Sequence, residues 1–460
     1  MEPRLSKKTT RITPARIIIA TFLALILLGT LLLRAPFAHQ EFELSWWDAF
    51  FVSSSAVSTT GLMSVPLSTF SFWGKLIIIC LAQLGGLGFL TLFVPILGLF
   101  KNVRMRTHLI TGQQFDLQQW SSNWVYSKKI VQFVAVFSFI AEVIGFLIVY
   151  YALDGVPLTE PRWFSAIFHT VSSFCNLGVS VFPQPFATLA MHRLFILATT
   201  TLIALGSFGF IPIYEIFLHI RQRILRPANG IPRARFSLQT KILFLYMPLL
   251  TGVLAIFLLV AEWEALRQFA WIDKINIAVF NGFSFRSCGF STFNFLQVSQ
   301  VVLFVSMVFC LLGSSPGSVG GGSGLKVTTL ALSLSSIKAI VLGKEHVEIF
   351  KRRIPKEQML VTLAFLSIYL LWIFSTLFLV LITENQTGEG MVNFMFESIS
   401  AVANRGITIQ SFIAMTRAGQ LVLTFGMIVG RLNSLSLLIA IKHKRDRVSF
   451  KYPEETLSMG

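Results

Sequence analysis

Charge is what this chain has least of. Only 13% of its 460 residues are Asp, Glu, Lys or Arg, against 54% hydrophobic, and the mean hydropathy is +0.72. Soluble domains carry about twice that charged fraction. An ordinary water-soluble fold is therefore excluded. Cysteine is also scarce. Cys80, Cys175, Cys288 and Cys310 have neither metal-ligand spacing nor a disulfide framework, so they read as small apolar residues, with Cys175 and Cys288 beside glycines as candidate reactive thiols. No nucleophile–base or metal-ligating cluster converges, which argues against a membrane enzyme. No connection is long enough to fold as a soluble domain.

Long apolar runs fill the space that charge leaves. They cover Ile17–Leu33, Leu76–Leu99, Ile130–Tyr151, Leu194–Phe217, Ile242–Val260, Val298–Leu312, Met359–Ile382 and Leu421–Ile441. Each is near the roughly 20 residues that cross a bilayer core. The expected fold class is an all-α polytopic membrane protein with lipid as its surroundings. The first run follows basic residues, as a signal peptide would, but it lacks a small-residue cleavage site and reads as a span.

Net charge is +17. In a soluble protein that would suggest nucleic acid; here its distribution reads as membrane orientation, with no nucleic-acid partner. Basic residues collect at the N-terminus, in Lys101–Lys129, in His219–Lys241 (Arg221, Arg223, Arg226, Arg233, Arg235, Lys241), in Lys344–Lys356 and in Lys442–Lys451. Acids collect in the alternate connections: Glu41, Glu43, Asp48, Asp154, Glu160, Glu262, Glu264, Asp273, Glu384 and Glu389. The positive-inside rule puts the basic connections and both termini in the cytoplasm of a cell-membrane protein. The acids would then form an outer rim, either concentrating cations or merely left outside by sorting.

Four glycine turns repeat along the chain: Thr59-Thr60-Gly61-Leu62, Asn176-Leu177-Gly178-Val179, Ser287-Cys288-Gly289-Phe290 and Asn404-Arg405-Gly406-Ile407. The glycine intervals are 117, 111 and 117 residues (61 to 178, 178 to 289, 289 to 406). Each turn follows an amphipathic segment of 12 to 15 residues, too short to span, and lies between two long runs. The pattern predicts four parallel helix–pore helix–helix (M-P-M) repeats. Eight transmembrane helices would surround a central pore with pseudo-fourfold symmetry. The units are 1–101, 102–230, 231–356 and 357–460. The pore helices are Trp46–Val57, Pro161–Phe174, Trp271–Phe285 and Gly390–Val402.

A dehydrated ion inside a bilayer needs replacement oxygens, which backbone carbonyls of non-helical turns supply. Such backbone is tolerated at membrane depth where it lines a cavity. Four turns with a permissive glycine each would make one carbonyl ring. A lone glycine turn usually means helix packing; four in register between paired spans point to an ion pore. A secondary carrier is the rival, yet carriers typically show two inverted repeats.

The sixth span breaks at Gly313-Ser314-Ser315-Pro316-Gly317-Ser318-Val319-Gly320-Gly321-Gly322-Ser323-Gly324 before Leu325-Lys326-Val327. Glycine and proline at that density end a helix. A phosphate-binding loop would need a Gly-Lys-Ser/Thr ending, which is absent. Arg431 lies within the last span; a central membrane arginine costs about 2.5–3.5 kcal/mol on insertion scales, so it faces an interior cavity or snorkels. His169 reads as a packed histidine with one hydrogen bond rather than a ligand. Asn176 either offers an oxygen to an ion or stabilises its turn. Trp46, Trp47 and Trp163 read as interface anchors.

These residues resemble the Trk/Ktr/HKT superfamily of potassium transporters, most closely the Ktr membrane subunit, over nearly the whole chain. The resemblance rests on Ser55–Leu62, Phe168–Gly178, Arg286–Phe290, Phe396–Ala401 and Lys451–Thr456. It implies potassium uptake through a filter of four glycine turns binding K+, with Na+ as a common activator. Homodimers on a cytoplasmic nucleotide-binding regulatory ring are implied as well. Glycine at all four filter positions goes with potassium permeation in the family, whereas serine in the first marks sodium-selective plant members. The resemblance also makes the loop a gate under the filter, formed by Gly313, Pro316, Gly317, Gly320, Gly321, Gly322, Gly324 and Lys326, with Arg431 hydrogen-bonded to it. Two departures stand out: the loop is longer by about two residues near Ser323-Gly324, and Arg405 occupies a place the family gives to small or apolar side chains. Arg405 is expected either to pair behind the filter with Glu397 or Glu142, since an unpaired buried charge costs several kcal/mol, or to make a poorly conducting or sodium-preferring member.

Overall fold

The fold was read from a computed structural model, which describes residues 14–40, 43–87, 124–182, 186, 189–225, 235–320, 324–385, 390–409 and 415–432. Gly321, Gly322 and Ser323, the second half of the predicted span Leu76–Leu99, and the last span beyond Leu432 lie outside the described residues.

Helices dominate. The first unit holds α1 (Pro14–Arg34), α2 (Trp46–Val57) and α3 (Phe72–Leu87), and the second α4 (Trp124–Ala152), α5 (Arg162–Phe174), α6 (Arg193–Phe208) and α7 (Phe210–Leu225). Then follow α8 (Leu238–Ala261), α9 (Trp271–Ser287), α10 (Gln300–Leu311) and α11 (Val327–Val341), and finally α12 (Lys356–Thr383), α13 (Met391–Val402) and α14 (Arg417–Arg431). A small antiparallel hairpin, Glu348–Ile349 with Arg352–Arg353, precedes α12. Serine and threonine start several helices by accepting a backbone N–H: Ser45 from Asp48, Ser237 from Thr240, Ser299 from Val302 and Thr416 from Gly419.

By length and composition, Gln132–Ala152, Leu238–Ala261 and Lys356–Thr383 can each cross a bilayer. Their outer faces expose Phe139, Leu147, Ile256, Leu371 and Phe378, a belt that water would penalise and lipid accepts. Inside, Phe51, Val52, Phe168, Leu423 and Met427 share one apolar core drawn from three of the four units.

The arrangement is cyclic. Within each unit one helix (α2, α5, α9 or α13) packs between the helices that precede and follow it. Between units, α3 packs on α5, α6 on α9, α10 on α13, and α14 returns to α2. Lys75 on α3 and Glu160 before α5 reinforce one of these seams with a largely buried ion pair. Removing one partner strands the other charge. Lys75→Met should therefore cost about 3 kcal/mol, read as a lower thermal unfolding midpoint in detergent; an unchanged midpoint would contradict it.

One expected span is not a single helix. Leu194–Phe217 is broken at Gly209, where α6 and α7 meet at 99°. The glycine-rich loop causes this break by taking over the local backbone bonds. Ser315 N donates to Ser207 O at 3.1 Å, Val319 N to Gly206 O at 3.0 Å, and Phe210 N to Gly317 O at 3.1 Å. Gly209 has φ +88°, and a Cβ there would strike Ser315 Oγ. A kink needs such an identifiable cause.

Candidate ion pathway

All four glycines of the turns have positive φ: +89° at Gly61, +80° at Gly178, +93° at Gly289 and +71° at Gly406. Side chains resist that region. Space forbids them too. A Cβ on Gly61 would fall on the carbonyl oxygen of Leu177, on Gly178 that of Cys288, on Gly289 that of Arg405, and on Gly406 that of Thr60. Each glycine thus abuts the carbonyl preceding the next one, and the fourth returns to the first. The four corners close into one ring. Thr60, Leu177, Cys288 and Arg405 are buried, as are Leu62, Val179, Phe290 and Ile407, whereas the four glycines are half-buried. Within each corner the glycine is thus the less covered residue and its neighbours are packed into protein.

Each corner is braced by the backbone carbonyl of a residue that is serine in all four units, and in the first three the hydroxyl, which sequence reading overlooked, adds a bond. The amides of Thr60, Leu177, Gly289 and Arg405 donate to the carbonyls of Ser55, Ser172, Ser284 and Ser400 at 2.8–3.0 Å. Ser55 Oγ also accepts from Gly61 N (3.0 Å), while Ser172 and Ser284 donate to Val179 O (2.5 Å) and Phe290 O (2.6 Å). The sequence signal was a serine six residues before Gly61, Gly178 and Gly406, and five before Gly289. The third corner is built differently. There α9 continues through Ser287, whereas Thr59, Asn176 and Asn404 at the corresponding places adopt φ near +50°. Asn404 Nδ2 ties the fourth corner to the first through Thr60 Oγ1 (2.7 Å) and to Met427 O (3.0 Å). Asn176 has no hydrogen-bond partner for its side chain among the described residues and lies against Gly320.

Four short helices end their C-termini at this ring. A helix C-terminus carries the equivalent of about half a negative charge, which favours a cation. The geometry thus sets four carbonyls in one ring with four negative dipole ends beside it.

The glycine-rich loop lies beneath the second corner. Gly320 is so close to Cys175 O and Asn176 that a Cβ would overlap both, and Val319 touches the Gly86 position. Its neck is closed by Gly313 N donating to Leu325 O (2.7 Å) and Leu325 N to Leu311 O (2.8 Å). Gly313, Pro316, Gly320 and Gly324 are buried, Gly317 is half-buried, and Lys326 forms the N-cap of α11. Arg431 Nη2 donates to Val319 O (3.0 Å), Gly85 O (2.7 Å) and Gly86 O (3.3 Å), binding loop, α3 and α14 together.

Arg405 corrects an expectation. No carboxylate pairs with it among the described residues. Glu397 instead accepts from Thr408 Oγ1 (2.7 Å) and Ile409 N (2.9 Å), and Glu142 accepts from Gln83 Nε2 (2.6 Å). The Arg405 side chain, wholly buried, donates Nε to Cys310 O at 3.1 Å. That carbonyl ends α10, where it lacks an intrahelical partner, so a backbone group takes the place of the expected acid.

The outer acids also differ from a free attracting rim. Glu43, Glu160, Asp154 and Asp273 pair with Arg34, Lys75, Arg162 and Arg193, Glu264 with Arg267, while Asp48 bonds Ser45 and Glu384 bonds Thr416. Glu41 and Glu389 lie outside the described residues. Cys175 and Cys288 are fully buried, Cys175 donating to Gln83 Oε1 (2.8 Å), which leaves neither open to reagents. His169 bonds Thr199 Oγ1 (2.9 Å) between the rings of Phe195 and Phe290. Trp46 and Trp163 are exposed, and Trp47 donates to Gln420 (2.9 Å).

The long apolar helices and their exposed apolar faces define a helical membrane protein, and its family is one of transporters, not enzymes. The TrkH cation transport protein family matches residues 5–451, and the chain belongs to that family. It is 28% identical to the Ktr system potassium uptake protein B of Vibrio alginolyticus over 97% of this chain and 94% of that one. It is likewise 28% identical to the potassium/sodium uptake protein NtpJ of Enterococcus hirae, over 98% of both. The crystal structure of the potassium transporter TrkH from Vibrio parahaemolyticus shares the fold, with a TM-score of 0.70 at 18% identity, covering 96% of this chain and 87% of that chain.

Proposed function

We propose that the chain takes up potassium across the cytoplasmic membrane as the channel-like subunit of a Trk/Ktr-type system. The closed ring of four glycines and four carbonyls carries this reading. A potassium ion entering the ring exchanges water for backbone oxygens. The four helix C-termini add negative potential, and the ion moves down its electrochemical gradient. The glycine-rich loop gates the path from the cytoplasmic side, with Arg431 as its latch.

The same reading makes each unit an M-P-M repeat with the boundaries given above, eight spans in all, and both termini cytoplasmic. A homodimer, a nucleotide-binding regulatory ring and sodium activation follow from the family resemblance. Sodium preference or weak conduction is the second reading, favoured by the buried charge of Arg405 and by the potassium/sodium name of the Enterococcus relative. Expression in a potassium-uptake-deficient bacterium tests both. Growth on limiting potassium, with or without added sodium, is expected; growth no better than the empty vector would overturn the proposal, and sodium accumulation without potassium would favour the second reading.

A further inference from the structure

We propose that Arg405 is a positioning residue that joins the fourth corner of the ring to the neck of the glycine-rich loop, so that the two move together. The inference rests on the ring being the ion path. Its first leg is backbone: the Arg405 carbonyl abuts Gly289 within the ring, and its amide is held by Ser400 O at 2.8 Å. Its second leg is side chain. Wholly buried, it runs behind the ring and donates Nε to Cys310 O at 3.1 Å, so its charge sits at the C-terminus of α10, where the helix dipole favours a cation. Among the described residues no acid lies beside it, and this dipole end is the negative charge nearest its Nε.

The third leg is the loop itself. α10 ends at Leu311 and the neck begins at once. A Cβ on Gly324 would fall on Arg405 Nη2, and Gly313 and Gly324 lie too close for a Cβ on either. Arg405, Gly324 and Gly313 are thus stacked in contact, and the longer loop and the unexpected arginine touch at Gly324. On the other side, Arg286 donates to Gly313 O (3.4 Å) while anchored on Thr251 Oγ1 (2.8 Å) and Met247 O (3.2 Å). The neck is therefore clamped between two arginines, one of which contributes its own carbonyl to the ring. Any displacement of the neck pulls on a ring member. Arg431 grips the same loop at Val319, so Arg405 and Arg431 hold it from two places.

Potassium flux into liposomes holding the purified full chain tests this, comparing wild type, Arg405→Met, Arg431→Ala and the double variant. Each single variant is expected to raise flux about three- to ten-fold, and the double to stay within about two-fold of the larger single, because coupled residues are not additive. Independent effects would instead multiply, and that result, or an Arg405→Met flux at or below wild type in folded protein, overturns the proposal. If Arg405→Met fails to purify folded, Arg405→Lys, which keeps the charge but loses the planar fork, enters the same cycle with the same criterion. Wild type that passes no potassium would sink the proposed function itself, a different failure.

Discussion

Gly178→Ala is expected to lower potassium transport by about a hundred-fold or more, a loss of the size seen when a preorganised electrostatic site is displaced. Two physical effects combine. Alanine at φ +80° is strained, by about 1–2 kcal/mol. The larger effect is steric: the new Cβ would occupy the place of the Cys288 carbonyl oxygen, one of the four that make up the ring. That carbonyl must turn or retreat, and the ion loses a ligand. Gly155→Ala separates the two effects. Gly155 has φ +73° but nothing within 4 Å of its Cβ position, so it carries the strain without the collision and should transport like wild type. Uptake by cells with matched membrane levels of each variant reads the difference. Equal loss in both would show that strain, not ring geometry, is responsible.

Arg431→Ala is expected to raise flux by about ten-fold, a coupling typical of a local latch on a two-state element. The guanidinium makes three bonds to carbonyls of the loop and α3, and alanine makes none. If the loop is the gate proposed above, losing the bond that holds Val319 O makes its open arrangement more populated. Initial uptake rate is the readout, with thermal unfolding as the check on folding. Lower flux from normally folded protein would contradict the latch.

Much of the architecture was visible in the residues. Short amphipathic segments, each running into a glycine and flanked by long apolar runs, are a local pattern, and α2 and α13 begin and end within a residue of their expected bounds. The glycine corners were legible because few residues but glycine tolerate positive φ with a neighbour's carbonyl at the Cβ position. Partners supplied by backbone were not legible. Sequence reading sought acids for Arg405, yet its partner is the carbonyl of Cys310, and every residue carries one of those. The break at Gly209 escaped for a related reason. Residues 194–217 look uniformly apolar, and only the remote loop, docking through Ser315, Gly317 and Val319, makes a bent backbone affordable there. The pairing of Arg193 with Asp273 was not legible either, because it joins two units and depends on tertiary proximity. The serine braces were readable as a spacing before each glycine, and their one-residue shortening before Gly289 foreshadowed the different third corner.

The most direct test is single-protein-class flux in purified liposomes: wild type and Gly178→Ala reconstituted separately, with an outward-to-inward potassium gradient and the membrane potential clamped. The account predicts potassium entry along the gradient through wild type and almost none through the variant. Indistinguishable flux from the two, or none from wild type in correctly folded protein, would contradict the claim that the four carbonyls carry the ion.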